Sequence, residues 1–293
     1  MFRLAAQGPG IANRRSWLLP IIGVCALSGA ACLSGCHKPE DTTPPRAARL
    51  VAPRPNIIWI VLDAGRAQNL SCYGYDRPTT PNLDRLASRG VLFEANYTQG
   101  LQTALSVPSY MTGRHFPVPC LGVKDNVQPD AASPPPGEAL FPSILSQNGY
   151  RTLMVTAHFA LGPRSRLWRA FDSAVELKAK ESGQDYVLPR FEELNQAAKG
   201  LLDKEQTQPF FLYMHAMDLH APRVASPPFD RWVDPAYNVD VVKKLVSTEA
   251  NFSIRFTPAD QAYLRDTYDA SLAYADSQIG ELLAYLDEKG VLK

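Results

Sequence analysis

Two rhythms of apolar and polar positions alternate along the chain from residue 55 onward. Pro55 to Asp63 reads PNIIWIVLD, a near-continuous run of branched and aromatic side chains that ends in a carboxylate. Such a run predicts a strand buried on both faces, with Asp63 at its carboxyl end, where open α/β sheets place their ligands. A helix is expected from Asn82 to Ser88, stopped at Gly90, with a strand from Val91 to Tyr97. The pattern then repeats: helix Pro142 to Gln147, strand Arg151 to Ala157, helix Phe191 to Lys204 and strand Phe210 to Met217. The last helix has the clearest signals. Thr257-Pro258-Ala259-Asp260 supplies a cap, a proline at the first position and an acid reaching back, and Gly290 supplies the stop. Leu264, Tyr268, Leu272, Ala275, Ile279, Leu282 and Leu286 form one apolar stripe that must pack as core.

The Pro-rich stretch from Phe116 to Gly137 is too long for a simple connector, and loops of this kind often shape a site; a second Pro-rich stretch, Ala221 to Pro235, follows the fourth strand. The chain has 293 residues, with 45% apolar and 20% charged residues, which excludes a disordered chain. Thirty basic against 29 acidic residues leave a formal charge of +1, so nothing points to a nucleic-acid partner.

The first 54 residues have a different character. Arg3, Arg14 and Arg15 precede an apolar run from Trp17 to Ala31, and the run closes on Leu33-Ser34-Gly35-Cys36. Residues 1–35 read as a secretion signal, and the closing tetrad resembles the lipobox of bacterial lipoproteins, which implies a lipid on Cys36. A transmembrane anchor is the alternative, opposed by Pro20 and the many small residues. Residues 36–54, with Pro39, Pro44, Pro45 and Pro53, read as a semi-extended tether. The body is therefore expected at the cell envelope, lipid-anchored to a bacterial membrane and facing the periplasm or exterior. Cys72 and Cys120 remain as one disulfide or as two buried thiols.

The phrases PNIIWIVLDAGR, LSCYGYDRPTTPNLDRLASRGVLFEANYTQG and MTGR, in that order, resemble the sulfatase family of the alkaline phosphatase superfamily. PFFLYMHAMDLHAP and YDASLAYADSQIGELL extend the likeness over about Pro55 to Leu292. The resemblance implies an α/β fold, an alkaline-phosphatase-like three-layer sandwich with a central, mostly parallel sheet, over an incomplete catalytic domain at 55–293.

It also implies a centre with a divalent metal, Ca or Mg, with Mn or Zn as further candidates. Asp63 matches the family's first metal-binding aspartate, while Ala64 stands where many members have a second. Counting back from Thr112-Gly113-Arg114 in the family's C-x-P-S-R-A-x-x-x-T-G-R phrase places Thr103 at the nucleophile, where it would also touch the metal, and Ser106 at the motif's serine. A second register, from Ser106 to Tyr110, makes Ser106 the nucleophile. Threonine cannot become formylglycine, and a plain hydroxyl nucleophile is what phosphoryl-transferring relatives use. The alternative for Thr103 and Ser106 is a role in capping a helix that runs to Gly113.

His220, in Asp218-Leu219-His220-Ala221-Pro222, matches the family's active-site histidine. His215, five residues earlier in the strand, is expected on the opposite face and outside the site. The family's lysine after GYRT is absent here, and His158 is the candidate replacement. Arg66 and Arg114 read as solvated loop arginines. The resemblance also implies a further strand and metal ligands beyond the long helix, so the chain reads as C-terminally truncated. The expected function is a metal-dependent hydrolase of sulfate esters, acting on an anionic small-molecule or glycan ester. A phosphoester hydrolase or phosphotransferase using a threonine nucleophile, and a non-catalytic envelope lipoprotein, are the alternatives.

Overall fold

The computed structural model describes residues 54–116, 133–182, 185–204, 208–237 and 255–292. The expected signal, Cys36, nearly all of the tether and most of the first Pro-rich loop, including Cys120, lie outside them. The apolar runs become a four-stranded, all-parallel sheet in the order β1 (Ile57–Leu62), β6 (Phe210–Ala216), β2 (Arg151–Thr156) and β3 (Ser173–Glu176). Side chains alternate across it. Ile58, Ile60, Leu62, Leu153, Val155, Leu212 and Met214 face one core together with Phe191, Leu194 and Ala198 of α4 (Phe191–Leu202) and Ile279, Leu282 and Leu286 of α5 (Pro258–Glu288). Ile57, Trp59, Val61, Met154, Phe211 and Tyr213 face the other, against Val107 and Met111 of α2 (Thr103–Thr112) and Phe141 and Leu145 of α3 (Phe141–Gln147). Helices on both faces of a parallel sheet make the three layers of an α/β protein.

The long helix starts as its sequence dictates. Thr257 Oγ1 accepts from Asp260 N at 3.1 Å and Asp260 Oδ2 accepts from Thr257 N at 2.7 Å. All of its stripe is buried except Leu264, which is half-buried. Its polar face also builds structure. Asp276 accepts from the backbone N–H groups of Asn82 and Leu83, at 2.9 and 2.8 Å, and so caps α1 (Pro81–Ala87), whose own Thr80 makes no cap. Asp269 is fully buried and accepts from Asn69, Tyr75 and Arg77.

The segment from Val91 to Tyr97 is not a strand. Val91, Phe93 and Tyr97 are exposed, and β1, at the sheet edge, has β6 as its one neighbour among the described residues. A strand needs a ladder partner, and none lies beside this segment among the described residues. Two short strands, β4 (Lys180–Ser182) and β5 (Asp185–Val187), form an antiparallel pair that the sequence pattern did not suggest. Among the described residues Cys72 is a free, half-buried thiol.

Candidate active site

Asp63 lies one residue past the end of β1, where its N–H donates to Ala216 O at 2.9 Å and continues the ladder. The chain turns at once: Ala64 adopts a left-handed φ of 56°, and Gly65 N donates back to Leu62 O. Tyr268 of α5 clamps that turn, since its hydroxyl donates to Ala64 O at 3.0 Å and accepts from Arg66 N at 2.8 Å.

Thr103 is the first residue of α2, and its Oγ1 donates to Asp63 Oδ2 at 3.1 Å. The N–H groups of Leu105 and Ser106 bond back to Gln102 O. Those of Thr103 and Ala104 have no acceptor among the described residues, so the α2 N-terminus presents two free donors beside the carboxylate. Ser106 lies one turn further on, with its Oγ directed to Gln102 O at 3.2 Å, and it does not line the cavity at Asp63.

His215 belongs to this site, contrary to the expectation from strand alternation. Its Nε2 donates to Asp63 Oδ2 at 2.9 Å, and its Nδ1 lies 2.8 Å from Tyr213 Oη. Alternation from His215 to His220 would separate the two side chains, but β6 ends at Ala216 and alternation does not carry to residue 220. The relevant face is that of Val61 and Asp63, and the register sets His215 opposite Val61. In the neutral ring Nε2 holds the proton given to Asp63, Nδ1 accepts from Tyr213, and Tyr213 accepts from Tyr110 Oη at 2.6 Å. A signal was present in the sequence: Tyr213 and His215 are polar positions two apart, hence on one face, in an otherwise apolar strand.

A cavity of about 300 Å³ opens here, with Asp63, Thr103, His158 and His220 in its wall. Burial alone would raise the Asp63 pKa, but the His215 hydrogen bond and the neighbouring imidazoles outweigh it and hold the carboxyl at about 2. Asp63 is therefore an ionised acceptor. His158 is buried; desolvation, with repulsion from His215, lowers its pKa to about 4. Its Nδ1 accepts from Ala160 N at 3.1 Å, so the neutral ring carries its proton on Nε2. His220 is exposed, and its Nδ1 donates to Ala221 O at 2.7 Å, which leaves Nε2 as the bare nitrogen of the neutral ring. Arg66 and Arg114 are exposed, as expected of loop arginines.

As metal donors the described residues offer the Asp63 carboxylate and the Thr103 hydroxyl. No group of three or more His, Cys, Asp or Glu able to hold a metal occurs among them. Ca²⁺ takes about six to eight oxygens and Mg²⁺ an octahedron, so these two groups do not by themselves fit the implied cation.

The parallel three-layer α/β sandwich carries an acid just past the tip of β1 and a hydroxyl at the start of the facing helix α2. The sulfatase family model matches residues 55–293, and the chain belongs to the sulfatase family. It is 28% identical over 225 residues to the N-acetylglucosamine-6-O-sulfatase of Bacteroides thetaiotaomicron, covering 71% of this chain and 36% of that protein. It is 25% identical to human iduronate 2-sulfatase, covering 80% of this chain and 52% of that one. The chain thus spans about a third to a half of the length of these relatives. Among solved structures, a 2-O GAG sulfatase superposes with a TM-score of 0.57 at 17% identity, covering 80% of this chain and 54% of that one. The C-terminal periplasmic domain of EcEptC from Escherichia coli, in a complex with Zn, gives 0.56 at 14% identity, covering 78% and 58%. These likenesses show the alkaline-phosphatase-like fold. No helix among the described residues is long and apolar enough to cross a membrane.

Proposed function

We propose that the protein hydrolyses a sulfate ester, with Thr103 as the nucleophile in the cavity at Asp63. The observation that carries this reading is the 3.1 Å hydrogen bond from Thr103 to Asp63, which aims a hydroxyl from the start of α2 at the strand tip. The free N–H groups of Thr103 and Ala104 and the Nε2–H of neutral His158 supply donors for a tetrahedral anion, an arrangement suited to charge developing on its oxygens. Asp63, with a pKa near 2, is too weak a base to take the hydroxyl proton and acts by orienting it. The neutral His158 ring holds its proton on Nε2, and both nitrogens of His215 are engaged, by Asp63 and by Tyr213, so neither ring offers a bare nitrogen to the cavity. His220 Nε2 is left as the group that accepts the Thr103 proton and returns it to the leaving alcohol. Thr103 Oγ bonds to sulfur as the ester S–O bond breaks, and water then releases the anion.

The hydroxyl at position 103 favours a second reading, transfer or hydrolysis of a phosphate ester, because threonine is used directly and without conversion to formylglycine. The substrate is proposed as an anionic small-molecule or glycan ester, in keeping with the sugar sulfatases the chain resembles. The divalent cation of the family reading, Ca or Mg with Mn or Zn as further candidates, would find Asp63 and Thr103 as its described donors. An envelope location through lipid on Cys36 rests on the Leu33-Ser34-Gly35-Cys36 tetrad. Cys36→Ala should move the protein from the membrane to the soluble fraction.

Turnover of 4-nitrophenyl sulfate and 4-nitrophenyl phosphate by the protein, with and without divalent cations, tests the chemistry. Loss of turnover in Thr103→Ala and His220→Ala, with folding intact, supports it. A Thr103→Ala protein as active as the parent refutes it.

A further inference from the structure

Arg66 and Arg223 both pack on the ring of Tyr268. Arg66 lies in the turn that follows Asp63, and Arg223 follows the segment after β6 that carries His220, so both stand at the carboxyl end of the sheet. The Arg66 Cζ is 5.9 Å and the Arg223 Cζ 5.0 Å from the centre of the Tyr268 ring. The Tyr268 hydroxyl ties Arg66 N and Ala64 O together, which sets this pair against the turn that begins at Asp63. Neither arginine lines the cavity at Asp63 or the two cavities that Pro222 borders.

Exposure by itself makes an arginine a solvated surface group, and Arg66 is exposed. Arg223 differs. It is half-buried, its Nε is fixed to Leu219 O at 2.8 Å, and the terminal N–H groups of its guanidinium have no acceptor among the described residues. The Arg66 guanidinium has none there either, since only the backbone N–H of that residue is bonded. Arg77, Arg114 and Arg190 each have a carboxylate partner; Arg66 and Arg223 have none among the described residues. The tyrosine ring attracts both cations but satisfies no N–H donor. Burial, with added repulsion from Arg66, lowers the Arg223 pKa, as befits two like charges left without an acid.

An anion would relieve both the repulsion and the unmet donors. Guanidinium forks bind the oxygens of sulfate, phosphate and carboxylate through paired, charge-assisted hydrogen bonds. A cation would be repelled here, and a neutral group would leave the charges uncompensated. With no cavity of the reaction cleft reaching the pair, a small ion fits better than an extended organic molecule.

We propose that Arg66 and Arg223 form a second oxyanion site, outside the reaction cavity, that binds inorganic sulfate or phosphate. The site stands independently of the ester-hydrolase reading, although the ions it takes are those that such a reaction releases.

The test follows the arginine Nε–H signals of the whole protein by NMR during titration with sodium sulfate and sodium phosphate, at an ionic strength held constant with sodium chloride. The expected result is a saturable shift of the Arg66 and Arg223 signals by sulfate or phosphate and none by chloride. Arg66→Gln should weaken binding read at Arg223 about tenfold or more, and Arg223→Gln should weaken binding read at Arg66 likewise, as loss of a charge-assisted hydrogen bond implies. Because Arg66 is exposed, Arg66→Gln keeps the test valid should Arg223→Gln not fold. Thr103→Ala alters the reaction cavity and should leave the response in place. No saturable shift with either ion, an equal shift with chloride, or unaltered affinity in Arg66→Gln would overturn the proposal. A response lost in Thr103→Ala would overturn it as well, by assigning the ion to the reaction cavity. Saturable binding at the two arginines, in a protein that turns over neither ester, would uphold the site and fault the ester-hydrolase reading instead.

Discussion

His215 Nε2 and Asp63 Oδ2 meet at 2.9 Å across two adjacent parallel strands, 152 residues apart in the chain. The same oxygen accepts from Thr103, so one carboxylate joins β1, β6 and the start of α2. Behind His215 the hydrogen bonds run inward to Tyr213 and Tyr110. The orientation of the proposed nucleophile is therefore set by the core of the sheet, and changes in that core should be felt at the cavity.

The pH dependence of stability carries the signature of Asp63. Its folded pKa is about 2 against an ordinary 3.8, so on acidification the unfolded chain takes up the proton first. The stabilisation is complete above about pH 4 and is lost as pH falls through about 2, with an order of magnitude of about 2 kcal/mol. Asp63→Asn should be less stable than the parent by about that amount at neutral pH and should lose less stability between about pH 4 and 2. Urea unfolding at a series of pH values measures both.

Asp218 works in the opposite direction. Its folded pKa of about 6 means that, as pH rises from about 4, the unfolded state gives up its proton while the folded state retains it. Its contribution therefore makes stability fall between about pH 4 and 6 and level off above. The Asp218→Asn protein should lack this slope, although it also loses the ion pair with Arg190. The comparison is one of slopes, read from unfolding midpoints across that range.

Tyr213→Phe removes one oxygen and strands two partners, His215 Nδ1 and Tyr110 Oη, in a buried setting. A loss of about 1–3 kcal/mol is expected. Adding Tyr110→Phe should cost less than its single effect predicts, because its partner is already gone. Chemical denaturation of the two single variants and the double variant checks the non-additivity.

The apolar periods made most of the sandwich legible. The runs of β1 and β6 have one reading, and the Thr257-to-Asp260 cap with its following stripe states where α5 begins and which face it buries. The likeness of the segment ending in Thr112-Gly113-Arg114 pointed to Thr103, since a motif preserves spacing. His215 was missed for a physical reason: the pairing register of two strands so far apart in sequence is set by tertiary packing, and no local period encodes it. The same holds for Asp276 capping α1 from another helix. Val91 to Tyr97 has the composition of a strand, but a strand exists only with a neighbour.

One close approach offers a stability test far from the cavity. A Cβ on Gly280 of α5 would come within 2.6 Å of Asn82 Oδ1, and the Asn82 side chain is tied to Asp276 by its amide nitrogen. Gly280→Ala should therefore destabilise the protein by about 1–3 kcal/mol despite the better helix propensity of alanine. Thermal unfolding would show it.

The central claim is that Thr103 attacks the ester. Acid quenching of the protein during turnover of a 4-nitrophenyl ester, followed by mass spectrometry of the peptide that contains Thr103 and Ser106, tests it most directly. The account predicts one added sulfuryl or phosphoryl group localised to Thr103 and absent from the Thr103→Ala protein. Turnover with the adduct on Ser106 instead, or undiminished in Thr103→Ala, would contradict it.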